Sequence, residues 1–169
     1  MKRKRILALF LAAVSCLSLA VSASAAGTTT RKATDFKDYD RTAWYAEAVS
    51  AAVDNGLLYG KSSTIIDPNG DMTRAEMAAI INRSFGCYAK ADISKYKDVS
   101  KDKWYFEDVA MAVQMGTYNG RSNTAMAPDS PITRQEAMTV VARALELDYD
   151  AYAKTDLSKF ADGKNISSW

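Results

Sequence analysis

The sequence predicts an all-α protein built from tandem helix-loop-helix repeats. The first observation is a duplication, because the stretch Thr73–Glu76 (TRAE) recurs 60 positions later as Thr133–Glu136 (TRQE). The second is that each copy opens a run of apolar residues spaced like one face of an α-helix. The third is that an earlier amphipathic run in each copy ends at a glycine, Gly56 or Gly116. Glycine commonly ends a helix, so each repeat is expected to contain two helices joined by a loop.

Residues 1–25 have the pattern of a secretory signal peptide. A basic segment is followed by a mostly apolar one, and Ala23-Ser24-Ala25 forms a small-residue cleavage site. The apolar segment is too short and wrongly flanked for a spanning helix. Cleavage before Cys16, as in a lipoprotein, is a weaker alternative, because the apolar run continues beyond it and Ala13 stands three residues before it. We therefore expect a secreted protein with no transmembrane segment after cleavage.

Charge and composition narrow the functions that the mature chain can have. The whole chain has a net charge of +2, from 22 basic and 20 acidic residues. The signal holds four basic residues and no acidic one, so the mature chain carries 18 against 20, a net charge of −2. A basic field for nucleic acid is therefore absent. The chain has no His, which removes the common catalytic triads and His metal ligands, and we predict no catalytic residue, metal or cofactor.

The mature chain divides into a leader, two full repeats and the start of a third. Residues 26–35 are polar and predict a flexible leader. A gapless alignment at an offset of 60 pairs residues 36–88 with residues 96–148. Residues 160–169 match the opening of a repeat, from Phe160 to Trp169, and we interpret them as its truncated start. The identical pairs include Asp38/Asp98, Trp44/Trp104, Tyr45/Tyr105, Gly56/Gly116, Gly60/Gly120, Pro68/Pro128, Thr73/Thr133, Arg74/Arg134, Glu76/Glu136 and Arg83/Arg143.

The second helix of each repeat begins with a capping-box signature. Thr73 and Thr133 are N-cap candidates, and Glu76 and Glu136 follow three residues later. In a capping box the hydroxyl accepts from a backbone N–H of the first turn, and the carboxylate accepts from the N-cap N–H. We therefore interpret both Glu residues as structural caps. Because neither helix can bury its apolar stripe alone, the repeats are expected to pack on their neighbours.

Arg74 and Arg134 stand at the first position of these helices, where the helix dipole disfavours a cation. One interpretation is an anion site that the Arg and the helix N-terminus form together. The other is that each Arg pairs with a nearby Asp or lies along the surface. On these residues alone, both interpretations stay open.

The repeats resemble the S-layer homology (SLH) family. The resemblance rests on the Asp-aromatic opening, the Trp-Tyr pair, the spacing from Gly56 to Gly60, the Pro before the second helix and the TRAE motif. The second copy departs from this motif only at Gln135. SLH repeats usually come in threes and form a pseudo-threefold bundle of their TRAE helices. The resemblance therefore implies that the two repeats here form part of such a bundle.

The resemblance also implies a function, which is the non-covalent anchoring of a secreted protein to the bacterial cell wall. Grooves between SLH repeats bind secondary cell-wall polymers, often through a pyruvylated sugar. The expected partner is thus such a polymer or a peptidoglycan-linked glycan, and the expected location is the cell wall or S-layer. The implied ligand-binding residues are Arg74, Arg134, Trp44, Trp104, Asp38, Asp98, Gly60, Gly120, Thr73 and Thr133.

The residue types are consistent with that ligand. An arginine fork suits the carboxylate of a pyruvyl ketal. A Trp face suits the C–H surface of a sugar, and Asp and Thr can bond its hydroxyls. Trp44 and Trp104 are also interpreted as partial core anchors of the first helices. Arg83 and Arg143 are interpreted as solvated side chains.

Other functions are weighed against anchoring. A calcium loop at Asp67, Asn69 and Asp71 is set aside, because Met72 stands where the turn needs Gly and Ala78 where the bidentate Glu belongs. A glycosidase would need a carboxylate pair, and no pair stands out. Two alternatives stay open: a self-assembling structural S-layer module, or the anchor region of a larger cell-wall enzyme whose catalytic domain lies outside this chain.

Overall fold

A computed structural model describes residues 31–148 and 156–167. The predicted signal peptide (1–25), residues 26–30 of the predicted leader and Trp169 lie outside the described residues. In the described part, no helix is long and apolar enough to cross a membrane. The helices there are α1 (Ala46–Asp54), α2 (Arg74–Phe85), α3 (Phe106–Gln114) and α4 (Arg134–Ala144), with short 3₁₀ helices at Ala33–Asp35 and Gly163–Asn165.

Packed structure begins before the predicted leader boundary at residue 35. Ala33 is buried with Phe36, Val53 and Ile66 in a small core of the first repeat. The guanidinium of Arg31 stacks 4.4 Å from the centre of the Phe36 ring. The end of the segment predicted to be flexible therefore packs on the first repeat, because it supplies apolar surface that this small core needs.

Both first helices end at a glycine with left-handed backbone. Gly56 has φ +67° and Gly116 has φ +77°. The N–H of Gly56 donates to Val53 O at 2.9 Å, and the next N–H, of Leu57, donates to Ala52 O at 2.8 Å. The second repeat has the same pair of bonds after α3. This Schellman arrangement satisfies carbonyls at the helix end and turns the chain into the loop.

Both second helices begin with a complete capping box. Thr73 Oγ1 accepts from Glu76 N at 3.2 Å, and the Glu76 carboxylate accepts from Thr73 N at 2.8 Å. The corresponding distances for Thr133 and Glu136 are 3.3 Å and 2.9 Å. The four side chains are thus engaged with the first turn of their own helix.

The main helix packing runs between repeats. Helix α2 of the first repeat packs chiefly on α3 of the second, and it also contacts α4. The shared core joins Ala75, Ala78 and Ile81 of α2 to residues of the second repeat such as Val109. Small side chains on α2 allow this close approach. The pseudo-threefold bundle remains a prediction, because the described residues hold two complete repeats.

The start of α2 is also bonded to the loop of the second repeat. Arg74 N donates to Ser130 O at 3.0 Å, Ala75 N donates to Pro128 O at 2.9 Å, and Ile132 N donates back to Met72 O at 2.9 Å. These bonds fix the position of the Arg74 side chain relative to the second repeat.

Candidate functional site: two equivalent grooves

A loop glycine lines each groove and packs against an aromatic ring. Each loop glycine lies against the aromatic residue that opens its repeat, Phe36 for Gly60 and Tyr96 for Gly120. A Cβ on Gly60 would lie 2.4 Å from Phe36 Cε1, and one on Gly120 would lie 2.5 Å from Tyr96 Cε1. Only glycine permits this contact, so these two glycines act by letting the loop approach the aromatic ring.

The opening aspartates hold the loop that leads to the second helix. The Asp38 carboxylate accepts from Ile66 N at 3.0 Å and from Asp67 N at 2.7 Å. Asp67 has φ +54°, a conformation that non-glycine residues rarely adopt. Hydrogen bonds from Ile66 and Asp67 hold the pKa of Asp38 below its usual value, against the opposing effect of desolvation. Asp98 makes the equivalent bonds to Met126 N and Ala127 N. Both aspartates thus brace the loop.

Groove 1 lies along the loop and second helix of the first repeat, with a volume of about 530 Å³. Trp104 of the second repeat forms part of its wall, and that side chain is 59% exposed. A cavity of this size lies within the range of about 300–1,000 Å³ typical of ligand sites. The remaining polar and charged lining residues include Tyr59, Lys61, Asp67, Asp71, Glu76 and Arg83.

Groove 2 is the equivalent site in the second repeat, with a volume of about 450 Å³. Its wall includes Arg74 of the first repeat. Each groove is therefore completed by one side chain from the other repeat, Trp104 in groove 1 and Arg74 in groove 2. The lining pairs that the two grooves share at an offset of 60 are Leu58/Tyr118, Tyr59/Asn119, Gly60/Gly120, Lys61/Arg121, Glu76/Glu136, Ala79/Thr139, Ile80/Val140 and Arg83/Arg143.

Arg74 is buried and links the two repeats. Its Nε donates to Met126 O at 3.0 Å, Nη2 donates to Asn119 O at 3.1 Å, and Nη1 donates to Glu136 Oε1 at 3.1 Å. The guanidinium also lies 5.2 Å from the ring centre of Tyr118. Burial lowers the pKa of Arg74, and the charge of Glu136 acts in the opposite direction. Most of its donors are therefore committed to the second repeat.

These contacts correct one sequence-based interpretation. An anion bound jointly by Arg74 and the N-terminus of α2 does not fit, because Ser130 O and Pro128 O occupy the first two amides of that helix. Protein carbonyls and a carboxylate take the place of the anion. Arg74 can still reach groove 2, but it does so from a position set by the second repeat.

Arg134 and Trp44 are not brought into a groove. Arg134 is exposed, and within the described residues it makes no side-chain hydrogen bond or ion pair. Trp44 is 94% exposed and packs edge-to-face on Tyr45. Each is the equivalent of a residue that does line a groove, Arg74 or Trp104. Arg74 lines the groove of the repeat that follows it, and Trp104 lines the groove of the repeat that precedes it. The described residues contain no complete repeat after Arg134 and none before Trp44.

Glu76 and Glu136 both combine capping with ion pairing inside the grooves. Glu76 accepts from Lys61 Nζ at 2.7 Å, and Glu136 accepts from Arg121 Nε and from Arg74 Nη1, both at 3.1 Å. Burial alone would raise the pKa of each carboxyl. The hydrogen bonds and charges of Lys61 or Arg121 outweigh burial, so the pKa of each lies below its usual value.

Several groove residues were not predicted from the sequence. Arg83, interpreted as solvated, is half-buried, stacks 4.1 Å from the ring centre of Tyr59 and donates to Leu57 O at 3.0 Å. Arg143 is its half-buried equivalent. Lys61 and Arg121 also line the grooves without having been predicted to do so. The signal that could have found them is a basic residue recurring at an offset of 60, directly after each loop glycine and near each second-helix end.

The lining of the grooves offers both polar and aromatic groups. The grooves combine an aromatic wall, arginine and lysine side chains, and backbone near two loop glycines. In the described residues, no three His, Cys, Asp or Glu side chains converge as a metal site. The arrangement offers hydrogen bonding and aromatic stacking to a ligand.

The sequence profile of the S-layer homology domain matches residues 35–78 and 95–138, which together make up more than half of the chain. The chain belongs to this family. The two matches cover the opening, α1 or α3, the loop and the start of α2 or α4. They thus confirm the two repeats recognised in the sequence, and they include Arg74, Trp104, Gly60 and Gly120.

The relatives of this chain include surface proteins and enzymes. The chain is 34% identical over 138 residues to the Surface-layer 125 kDa protein of Lysinibacillus sphaericus, which covers 81% of this chain and 11% of that protein. It is 30% identical over 168 residues to the Cell surface protein of Thermoanaerobacter kivui, and the match covers 93% of this chain and 22% of that protein. It is 26% identical over 169 residues to the Endoglucanase of Bacillus sp. (strain KSM-635), and the match covers 98% of this chain and 18% of that protein.

The chain spans less than a quarter of the length of these relatives. Two of these relatives are named as surface proteins and one as an enzyme. The chain is therefore a cell-wall anchoring module of a secreted, cell-surface protein, and the S-layer and enzyme-anchor alternatives are both consistent with this role.

Proposed function

We propose that this SLH chain anchors its protein by binding a secondary cell-wall polymer in groove 1 and groove 2. The observation that carries the proposal is that one groove design is built twice, 60 residues apart, and that each copy is completed by the neighbouring repeat. A glycan bound there contacts both repeats. Binding and the packing of the repeats are therefore linked.

The lining residues match the chemistry of an acidic polysaccharide. Trp104 offers an exposed ring face for the C–H surface of a sugar. Arg121 and Arg143 offer guanidinium donors that suit carboxylates, such as the acid of a pyruvyl ketal. Asn119 and Thr139 can bond hydroxyl groups.

We infer that the chain carries no catalytic step of its own. Glu76 and Glu136, the carboxylates whose side chains pair with basic groups in the grooves, also cap their helices. Their lowered pKa makes them poor general acids, which need a pKa near the working pH. In an enzyme that is anchored through this module, catalysis would therefore come from another domain.

The pseudo-threefold bundle is part of the same proposal. Arg74 inserts into groove 2 of the following repeat, and Arg134 is its exposed equivalent. A following repeat of the same design would receive Arg134 as the second repeat receives Arg74. The described residues 156–167 already touch this region, since Ser167 N donates to Gln135 Oε1 at 3.1 Å.

Binding to purified cell-wall sacculi tests the proposed function. The chain should bind intact sacculi and lose binding after the secondary polymer is chemically removed, with the peptidoglycan left in place. Binding that survives polymer removal would contradict a polymer ligand. Absence of binding to either preparation would favour a module whose role is self-assembly.

A further inference from the structure

We propose that the two grooves select different parts of the polymer: groove 2 takes the acidic sugar, and groove 1 takes a neutral sugar against Trp104. This inference rests on the proposed function, and it names which groove supplies the charge recognition. It follows from differences between residues that occupy equivalent positions in the two repeats.

The formal charges that line the two grooves have opposite sign. Groove 1 has two basic side chains, Lys61 and Arg83, against the three acidic side chains of Asp67, Asp71 and Glu76. Groove 2 has three arginines against one carboxylate. The divergence arises in the loop before the second helix, whose acidic residues line groove 1 alone. A cleft lined by one sign of charge concentrates ligands of the other sign.

Lys61, one of the two cations of groove 1, has all of its donors engaged. Lys61 Nζ donates to both carboxylate oxygens of Glu76, at 2.7 and 2.8 Å, and to Asp71 O at 3.1 Å. These three bonds match the three donors of an ammonium group. Arg83 is held between Leu57 O and the Tyr59 ring. A ligand carboxylate would have to displace these protein partners to bind Lys61, while Arg83 keeps N–H donors beyond the one bonded to Leu57 O.

The cations of groove 2 leave donors available. The Arg121 side chain is 41% exposed, and it donates from Nε and Nη2 toward Glu136 and Pro131 O. Arg143 donates from Nη1 to Thr117 O at a long 3.5 Å. A guanidinium has five N–H donors, so both arginines can present further donors to a carboxylate. Arg74 supplies a third positive charge behind them.

The neutral lining residues differ in the same direction. Asn119 replaces Tyr59, and Thr139 replaces Ala79, so groove 2 is the more polar. Groove 1 adds Trp104, for which the described part of groove 2 has no equivalent. Stacking on an aromatic ring does not require charge on the sugar. The two sites thus differ in charge and in apolar surface together.

The test uses matched variants and two small probes on the full chain. The probes are the methyl glycoside of a pyruvyl-ketal sugar with its free carboxylate, and the same compound as its neutral methyl ester. Calorimetry measures the affinity of each. Arg121→Gln should weaken binding of the acid at least tenfold, whereas Lys61→Gln, its equivalent in groove 1, should change it less than twofold. The ester should bind both variants alike.

A second matched pair guards against loss of folding. Arg143→Gln does not touch Glu136, and Arg83→Gln is its equivalent in groove 1. The acid should again be weakened by the first change and not by the second. Equal losses in the groove 1 and groove 2 variants, or no loss in either groove 2 variant, would overturn the selectivity. Sacculus binding by the wild type separates this result from failure of the proposed function.

Discussion

Replacing Arg74 with Ala is expected to destabilise the protein, while the same change at Arg134 is not. The two residues share a motif and a helix position, yet their surroundings differ completely. Arg74 is 5% exposed and bonds Met126 O, Asn119 O and Glu136 across the repeat interface. Arg134 is exposed and makes no such bond within the described residues.

The expected loss of stability in Arg74→Ala follows from the polar groups that lose their partner. The Arg74→Ala change leaves two carbonyls without their donor and removes one of the two cations paired with Glu136. Breaking a buried ion pair costs about 3–5 kcal/mol. Because Glu136 keeps Arg121, we expect the lower end, about 3 kcal/mol. For a domain of this size that corresponds to a fall in Tm of about 6–12 °C.

Urea unfolding followed by circular dichroism measures the difference directly. Arg134→Ala is the matched control, and a surface change of this kind should stay within about 0.5 kcal/mol. Equal unfolding midpoints for the two variants would refute the buried inter-repeat role of Arg74. A loss of sacculus binding by Arg74→Ala with unchanged stability would instead support a purely ligand-binding role.

Three further changes test other parts of the structure. The pKa of Glu76 lies below its usual value of 4.5, so the charged carboxylate stabilises the fold above pH 4.5, and this stabilisation is lost as the pH falls through the folded-state pKa. When stability is measured against falling pH, Glu76→Gln should therefore lose less stability than wild type. Burial and a 2.8 Å hydrogen bond to Asp129 raise the pKa of Tyr105 from 10.0 to about 12, so the stabilising effect of the protonated hydroxyl is lost as the pH rises through that range. Tyr105→Phe should therefore lose less stability than wild type between those pH values. Equal losses of Tm in the two proteins over this range would contradict the prediction. Trp104→Ala should weaken sacculus binding by up to about tenfold, because one aromatic stacking contact contributes about 0.5–1.5 kcal/mol. Trp44→Ala, outside any described groove, should bind as wild type does.

The repeat architecture could be predicted because local signals agree with one another. The duplication at an offset of 60, the capping boxes at Thr73 and Thr133 and the helix-ending glycines are properties of short segments. Such signals act through backbone geometry and do not depend on distant contacts. They are therefore recognisable in the amino-acid sequence alone.

The environment of each site residue could not be predicted in the same way. Arg74 and Arg134 are identical in motif, but only the first has a following repeat among the described residues to receive it. Trp104 lines the groove of the repeat before it, whereas no repeat precedes Trp44 among the described residues. The pairing of α2 with α3, across repeats, is a tertiary choice that a single repeat does not encode.

The residues that make the two grooves chemically different were harder still to recognise from the sequence. Lys61 and Arg121 occupy equivalent positions, and both pair with the capping Glu of their repeat. The bond from Lys61 to Asp71 O has its equivalent in the bond from Arg121 to Pro131 O. The two side chains differ in donor number, because an ammonium has three N–H donors and a guanidinium has five. Aligning the two repeats shows that both residues are basic, but it does not show how many donors remain for a ligand.

The most direct test of the proposed anchoring is the binding of a double groove variant to polymer-bearing sacculi. Trp104→Ala combined with Arg121→Gln changes one ligand-facing residue in each groove and leaves the link made by Arg74 in place. We predict a folded protein, by circular dichroism, that no longer sediments with the sacculi, while wild type does. A folded double variant that binds as tightly as wild type would contradict the claim that these two grooves hold the wall polymer.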